Sequence, residues 1–352
     1  MSQKIVRGVS PLFSLLENKR TLLVCGNSFD SLDFSENILK YDIVRFSDFA
    51  PNPKYEDVCK GVEIFNSQNC EQILAVGGGS AIDTAKCIKL FSKMSKEELF
   101  LNQEFKDSQI PLLAVPTTAG TGSESTQHAV IYYKGEKQSI SHLSLVPDAA
   151  FLEPETLKNL PLYQKKCTLL DALCQSLESY WSVKSTEQSR ENCLLALGLI
   201  EENWKEYIND NTKEAREKIM LASNFAGKAI NVTATTAPHA MSYKLTSFYK
   251  LPHGHSVALC LAEVWEFMLK NLDKCADARG FDYLKGIFDS IPVSPEWFRN
   301  LLSELEMQYP SSKNKSEDIE HFVSAVNPNR MKNNPVSLTQ DDLKNMYDKI
   351  IK

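Results

Sequence analysis

The chain has 352 residues, 43% of them hydrophobic and 24% charged, with a net charge of −6. That length accommodates two domains of ~100–200 residues each, with enough core to fold without disulfides or a structural metal. The acidic balance excludes a general nucleic-acid surface but not a small anionic ligand, which needs only a local basic pocket.

Thr21-Leu22-Leu23-Val24-Cys25, ended by Gly26-Asn27, reads as a buried parallel strand and its turn. Asp42 to Phe46 is a second strand, leading into the Pro51-Asn52-Pro53 loop, and residues 55–66 read as helix. Gln72 to Val76 is a third strand that stops at Gly77-Gly78-Gly79-Ser80, and an apolar-faced helix follows over 81–91. Pro111 to Pro116 is a fourth, followed by Thr117-Thr118-Ala119-Gly120-Thr121-Gly122-Ser123-Glu124. Strands alternating with helices imply a parallel sheet with right-handed crossovers. Beyond residue 130 a hairpin is expected around Lys134-Gly135-Glu136-Lys137, then one more strand at Ala149 to Leu152. After Pro154 helices are expected over 163–183, 186–204, 213–230, 256–271 and 282–291. Residues 310–335, rich in Asn, Lys and Ser, read as surface loop around one short helix at 317–325. The pattern predicts an α/β domain over 1–158 and an all-helical domain over 159–352.

Nine cysteines, an odd number with no CxxC pair, point to reduced thiols in a cytoplasmic protein. The N-terminus lacks the charge and apolar run of a signal peptide, so none is expected. No run of ~18 apolar residues predicts a membrane span.

Several stretches carry chemistry. Gly77-Gly78-Gly79-Ser80 follows a strand and opens a helix, where bare backbone and free N–H groups suit a phosphate. The spacing is not GxGxxG, and a tight strand-to-helix turn is the plainer alternative. Asp83, in the first turn of that helix, is favoured there by the helix dipole, or accepts from a ribose or amide of a nucleotide. Thr117, Thr118 and Thr121 offer hydrogen bonds to a second part of an elongated ligand, on the same carboxyl edge of the sheet. Asp171 and Gln175 are four apart on an apolar helix and share a face. A carboxylate there needs a partner, either a salt bridge or a cation. His239 follows Thr236-Ala237-Pro238, a helix start, and shares a face with Tyr243. His253 is placed in a Pro/Gly loop, with His255 two residues on. Neutral imidazole is the common nitrogen ligand of a divalent metal.

The combination resembles the iron-dependent (group III) alcohol dehydrogenase family, whose fold is dehydroquinate synthase-like. The resemblance rests on Gly77 to Lys86, Pro116 to Glu124, Asp171-Ala172-Leu173, His239, Pro252-His253-Gly254, and the ending Asn333 to Leu343. It implies an α/β domain that binds NADH or NADPH, a helical domain that binds Fe²⁺ or Zn²⁺, and a site in the cleft between. By position, Gly77, Gly78, Gly79, Ser80 and Asp83 match the pyrophosphate loop and its helix. Thr117, Thr118 and Thr121 match the nicotinamide side. Asp171, His239 and His253 match three of four metal ligands. The fourth, usually His, is Gln175 here, a weaker oxygen ligand or a hydrogen-bond partner of the substrate. A family histidine thought to relay protons falls at Tyr243, so Tyr243 or His255 is expected in that role. The family often carries Asp after the first strand to exclude a 2′-phosphate. Gly26 stands there, followed by Asn27, so NADPH is expected to be accepted.

The blocks Asp171 to Ser182 and Pro252 to Leu259 look most like a subgroup associated with phosphonate biosynthesis, which includes phosphonoacetaldehyde reductases making 2-hydroxyethylphosphonate. Cations for a phosphonate are sought in Lys244, His255, Arg190 and Lys184. The expected activity is aldehyde reduction by a homodimer without nucleic-acid or membrane partners. Sulfoacetaldehyde, succinic semialdehyde and simple alcohols are other substrates to consider. A lyase of the dehydroquinate-synthase kind is the rival, but no dense basic cluster flanks the ligand motifs.

Overall fold

The structure is a computed structural model that describes residues 3–276, 282, 291 and 293–352. All but the two end residues of the helix expected over 282–291 lie outside the described residues. The strands are β1 (Lys4–Arg7), β2 (Thr21–Cys25), β3 (Ile43–Phe46), β4 (Gln72–Gly77), β5 (Leu112–Pro116), β6 (His128–Tyr133), β7 (Glu136–Ser141) and β8 (Ala149–Leu152). Six of them form one sheet in the order β1-β8-β5-β4-β2-β3, parallel at every pairing.

The continuous apolar runs of β2, β4 and β5 follow from burial on both faces. Leu22, Val24, Ile73, Ala75 and Leu112 pack on one side with residues of the helices α1 (Tyr55–Ser67) and α2 (Gly79–Phe91). Leu23, Cys25, Leu74, Val76, Leu113 and Val115 pack on the other. The edge strand β1 escapes sequence reading because it has four residues and is partly exposed. The hairpin β6–β7 turns at Lys134 and Gly135, both with positive φ (51° and 79°), as a tight two-residue turn requires.

The remaining labelled helices are α3 (Leu162–Trp181), α4 (Glu187–Asn209), α5 (Lys213–Thr233), α6 (Ala237–Tyr249), α7 (His253–Lys270), α8 (Pro295–Glu304), α9 (Lys315–Ala325) and α10 (Gln340–Ile350). None of the described helices is long and apolar enough to cross a membrane. The nine cysteines are all free.

The chain falls into two compact units, 1–160 with 211–227, and 161–210 with 228–352. The first part of α5 thus groups with the sheet unit. Arg216 there donates to Pro154 O (3.2 Å) and Glu155 Oε1 (2.7 Å). Asn224 donates to Glu124 Oε1 (3.0 Å), and a Cβ on Gly227 would lie 2.5 Å from Gly122 O. These contacts tie residues 211–227 to the sheet.

The segment 310–335 also departs from a surface loop. Asn333 and Asn334 are buried. Asn333 donates to Thr233 O (2.7 Å) and Thr235 O (3.0 Å) and accepts from Ser182 Oγ (2.8 Å).

Candidate active site

Asp171, Gln175 and Glu178 fall on α3, four and three residues apart, so they share a face. All three are buried. His253 is the first residue of α7, after Pro252, not a loop residue as its Pro/Gly flanks predict. Its neighbour Gly254 explains the misreading: a Cβ there would stand 2.0 Å from Cys167 O and 2.8 Å from the Cβ of Asp171. The glycine lets the start of α7 press against α3, which sets His253 beside Asp171.

His239 arrives from the start of α6. Thr236, at the N-cap, makes no side-chain cap of its own. Glu178 caps the helix from α3 instead. Its Oε1 accepts from Thr236 N (2.9 Å), Thr236 Oγ1 (3.0 Å) and His239 N (3.3 Å), and its Oε2 pairs with His239 Nδ1. A buried carboxylate with four partners is fully satisfied. It fixes the His239 ring so that Nε2 faces Asp171.

One ligand atom from each of Asp171, His239 and His253 lies within 4.8 Å of the other two. His239 Nε2 is 3.4 Å and His253 Nε2 4.0 Å from Asp171 Oδ1. That oxygen is buried yet meets no hydrogen-bond donor in good geometry. Burial opposes ionisation of Asp171, but the nearby His239 and His253 rings and the Gln175 amide hold its pKa below the usual carboxylate value. Burial also opposes charge on His239, but Glu178 and Asp171 outweigh it and raise its pKa to about 9. Two imidazole nitrogens and one carboxylate oxygen, converging with His253 on the open side, fit Fe²⁺ or Zn²⁺. Glu178 supplies the outer carboxylate that such a histidine ligand commonly has.

The other expected residues divide. Tyr243 lies at the cluster: its ring is parallel to that of His253 (3°, centroids 6.2 Å apart). His255 is buried and its Nδ1 pairs with Tyr163 Oη at 2.8 Å. Arg190 donates to Ser185 Oγ (3.1 Å) near the start of α4, and Lys184 is an exposed residue before that helix. Lys244 follows Tyr243 on α6 and is half-buried. Sequence reasoning missed Glu178 and Arg330. The signal for Glu178 was its place one turn beyond Gln175 on the Asp171 face. Arg330 donates to Tyr243 Oη with its guanidinium 5.1 Å from the ring centroid.

In the sheet unit, Gly78 is the N-cap of α2 with no side-chain cap, so the first N–H groups of that helix have no capping side chain. Cβ atoms on Gly78 and Gly79 would lie 3.2 Å from Thr118 and 2.9 Å from Thr121. The two loops after β4 and β5 therefore pack backbone against side chain, and Thr117 N donates to Gly77 O (3.0 Å). Ser80 Oγ accepts from Asn52 N (3.3 Å). Asp83 is hydrogen-bonded within the sheet unit. Its oxygens accept from Ser123 Oγ (2.5 Å) and Val130 N (2.9 Å). Gly26 is open, with nothing within 4 Å of a Cβ, and the adjacent Asn27 is exposed.

A parallel sheet with an uncapped glycine turn at its carboxyl edge, joined in one chain to helices bearing an Asp–His–His cluster, defines a class of nucleotide- and metal-binding α/β proteins. The chain belongs to the iron-containing alcohol dehydrogenase family. The profile "Iron-containing alcohol dehydrogenase" matches residues 3–154, and "Fe-containing alcohol dehydrogenase family, C-terminal" matches residues 166–351. It is 33% identical over 220 residues to probable alcohol dehydrogenase EutG of Escherichia coli (strain K12), covering 61% of this chain and 56% of that protein. The match thus spans about half the length of that relative. It is 28% identical over 365 residues to the NADPH-dependent butanol dehydrogenase of Clostridium saccharobutylicum, covering 95% and 92% of the two chains. Among solved structures, the sulfoacetaldehyde reductase of Bifidobacterium kashiwanohense in complex with NAD+ superposes with a TM-score of 0.87 at 25% identity, covering 99% of this chain and 96% of that one.

Proposed function

We propose that this chain is an NAD(P)-dependent oxidoreductase that interconverts a short aldehyde and its alcohol with the help of one divalent metal, and that its natural substrate carries an anionic group such as phosphonate or sulfonate. The observation that carries the reading is the convergence of Asp171, His239 and His253 within 4.8 Å. When bound, the metal supplies a Lewis acid for a carbonyl oxygen and the nicotinamide supplies the hydride.

The chain's own residues supply position. Asp171, His239 and His253 hold the ion, with Gln175 beside Asp171 as a fourth, weaker oxygen donor. Glu178 keeps the proton of His239 on Nδ1 and leaves Nε2 for ligation. The glycine turn and the start of α2 take the cofactor pyrophosphate, and Thr117, Thr118 and Thr121 line its nicotinamide side. Gly26 presents no carboxylate to a 2′-phosphate, which supports NADPH. Tyr243, with its ring parallel to that of His253, is the residue assigned to pass a proton to the product oxygen.

The test is NADPH and NADH oxidation against neutral and anionic aldehydes, with Fe²⁺ or Zn²⁺ and after chelation. The reading expects turnover that chelation abolishes and that His253→Ala reduces strongly. Metal-independent turnover, undiminished in His253→Ala, would remove the metal from the reaction.

A further inference from the structure

We infer that Arg330 selects the substrate: its guanidinium, stacked on Tyr243 beside His253, binds an oxyanion at the end of the aldehyde remote from the reacting carbon. The inference rests on the activity proposed above and adds the residue that reads the charge.

Three planar groups lie in succession. The His253 ring is half-exposed and parallel to that of Tyr243. Arg330 lies 5.1 Å from the Tyr243 ring centroid, a cation–π distance, and donates through Nη1 to Tyr243 Oη. It is carried on the short helix Pro328–Met331, where Asn327 Oδ1 accepts from Asn329 N (2.9 Å) and Pro328 fixes the first turn. The side chain is therefore held at both ends. Its charge, however, is unmatched. Among the described residues no carboxylate lies within 4.0 Å of the Arg330 guanidinium, in contrast to Arg45, Arg216 and Arg299. A guanidinium has five N–H donors in a fixed fork, and Tyr243 takes one. The rest match a sulfonate or phosphonate, whose oxygens accept two parallel bonds. None of Lys244, Arg190 and Lys184 stacks on the ring that covers a metal-cluster histidine.

A purely structural role, with Arg330 only steadying Tyr243, would affect every substrate alike. The experiment therefore reads a ratio. Values of kcat/KM for sulfoacetaldehyde, phosphonoacetaldehyde and propanal are measured on the wild type, Arg330→Gln and Arg330→Lys. The ratio of anionic to neutral substrate should fall by about tenfold to a hundredfold in Arg330→Gln, the value of a lost charged hydrogen bond, and recover partly in Arg330→Lys. A parallel fall for all three aldehydes would overturn the inference.

Binding of unreactive ethanesulfonate and ethylphosphonate, followed by titration calorimetry, separates this claim from the activity. Anion binding that Arg330→Gln abolishes sustains the inference even where no aldehyde is reduced. A wild type that reduces propanal but binds neither anion refutes it and leaves the activity standing. The tighter of the two probes identifies the oxyanion.

Discussion

Glu178 offers the sharpest perturbation. It is not itself a ligand, yet it accepts four hydrogen bonds in a fully buried setting and fixes His239 through Nδ1. Glu178→Gln keeps the volume and removes the charge. If the new amide turns its nitrogen to Nδ1, it donates there, and the ring proton moves to Nε2, the atom that faces Asp171. If it turns the other way, the amide N–H groups meet the N–H of Thr236 and His239, donor against donor. Neither orientation reproduces the wild-type arrangement. Loss of such an outer partner typically weakens a metal site 10–100-fold, or about 1.4–2.7 kcal/mol at 1.36 kcal/mol per decade. The assay is a competition titration of apo-protein and a chromophoric chelator for Zn²⁺, run on wild type and Glu178→Gln. Weakening by about one to two decades fits the reasoning. A variant that binds Zn²⁺ as tightly as the wild type would show that Glu178 only caps α6 and does not set the ring.

Gly254→Ala should be among the most damaging small substitutions, because its Cβ would meet Cys167 O at 2.0 Å and backbone cannot yield as a side-chain tip can. A loss of about 1–3 kcal/mol or more in urea unfolding is expected, with metal binding lost as His253 is pushed away. Gly79→Val should raise the Kd for NADPH about tenfold, the value of one hydrogen bond to a charged group, with the melting temperature little changed, by crowding Thr121 and the start of α2; fluorescence titration reads it. Glu266 has its pKa lowered to about 2 by Lys270 and Arg299, the latter at 2.6 Å. Since its folded pKa lies below the usual 4.5, its contribution is fully present above pH 4.5 and is lost as pH falls toward 2. The side chain is 34% exposed, so Glu266→Gln should cost only about 0.5–1 kcal/mol at pH 7, and the difference from wild type should vanish in acid unfolding curves.

The sheet was legible because β2, β4 and β5 are buried on both faces and write themselves as unbroken apolar runs. Its edge strand β1 was not, since four half-exposed residues carry no period. Pro252-His253-Gly254 reads as a loop by composition. In the fold the proline stands at the N-cap position of α7 and the glycine serves a helix contact with α3, a relation between segments far apart in the chain. The helix α8 did carry local signals, an N-cap at Ser294 with Pro295 next and an apolar stripe of Phe298, Leu301 and Leu302. Asp171, His239 and His253 were legible through residue type and the family resemblance. Glu178 lies on the Asp171 face of α3, but that spacing alone does not separate an outer carboxylate from an ordinary helix charge. Arg330 sits in an Asn- and Lys-rich stretch, and only tertiary placement gives it a neighbour.

The account stands on the claim that Asp171, His239 and His253 hold one divalent ion. Elemental analysis of protein reconstituted with Fe²⁺ or Zn²⁺ and dialysed tests it directly. It should find one ion per chain in the wild type, with most of it lost in Asp171→Asn and His253→Ala although both remain folded by circular dichroism. A wild type that retains no metal, or variants that retain it in full, would contradict the account.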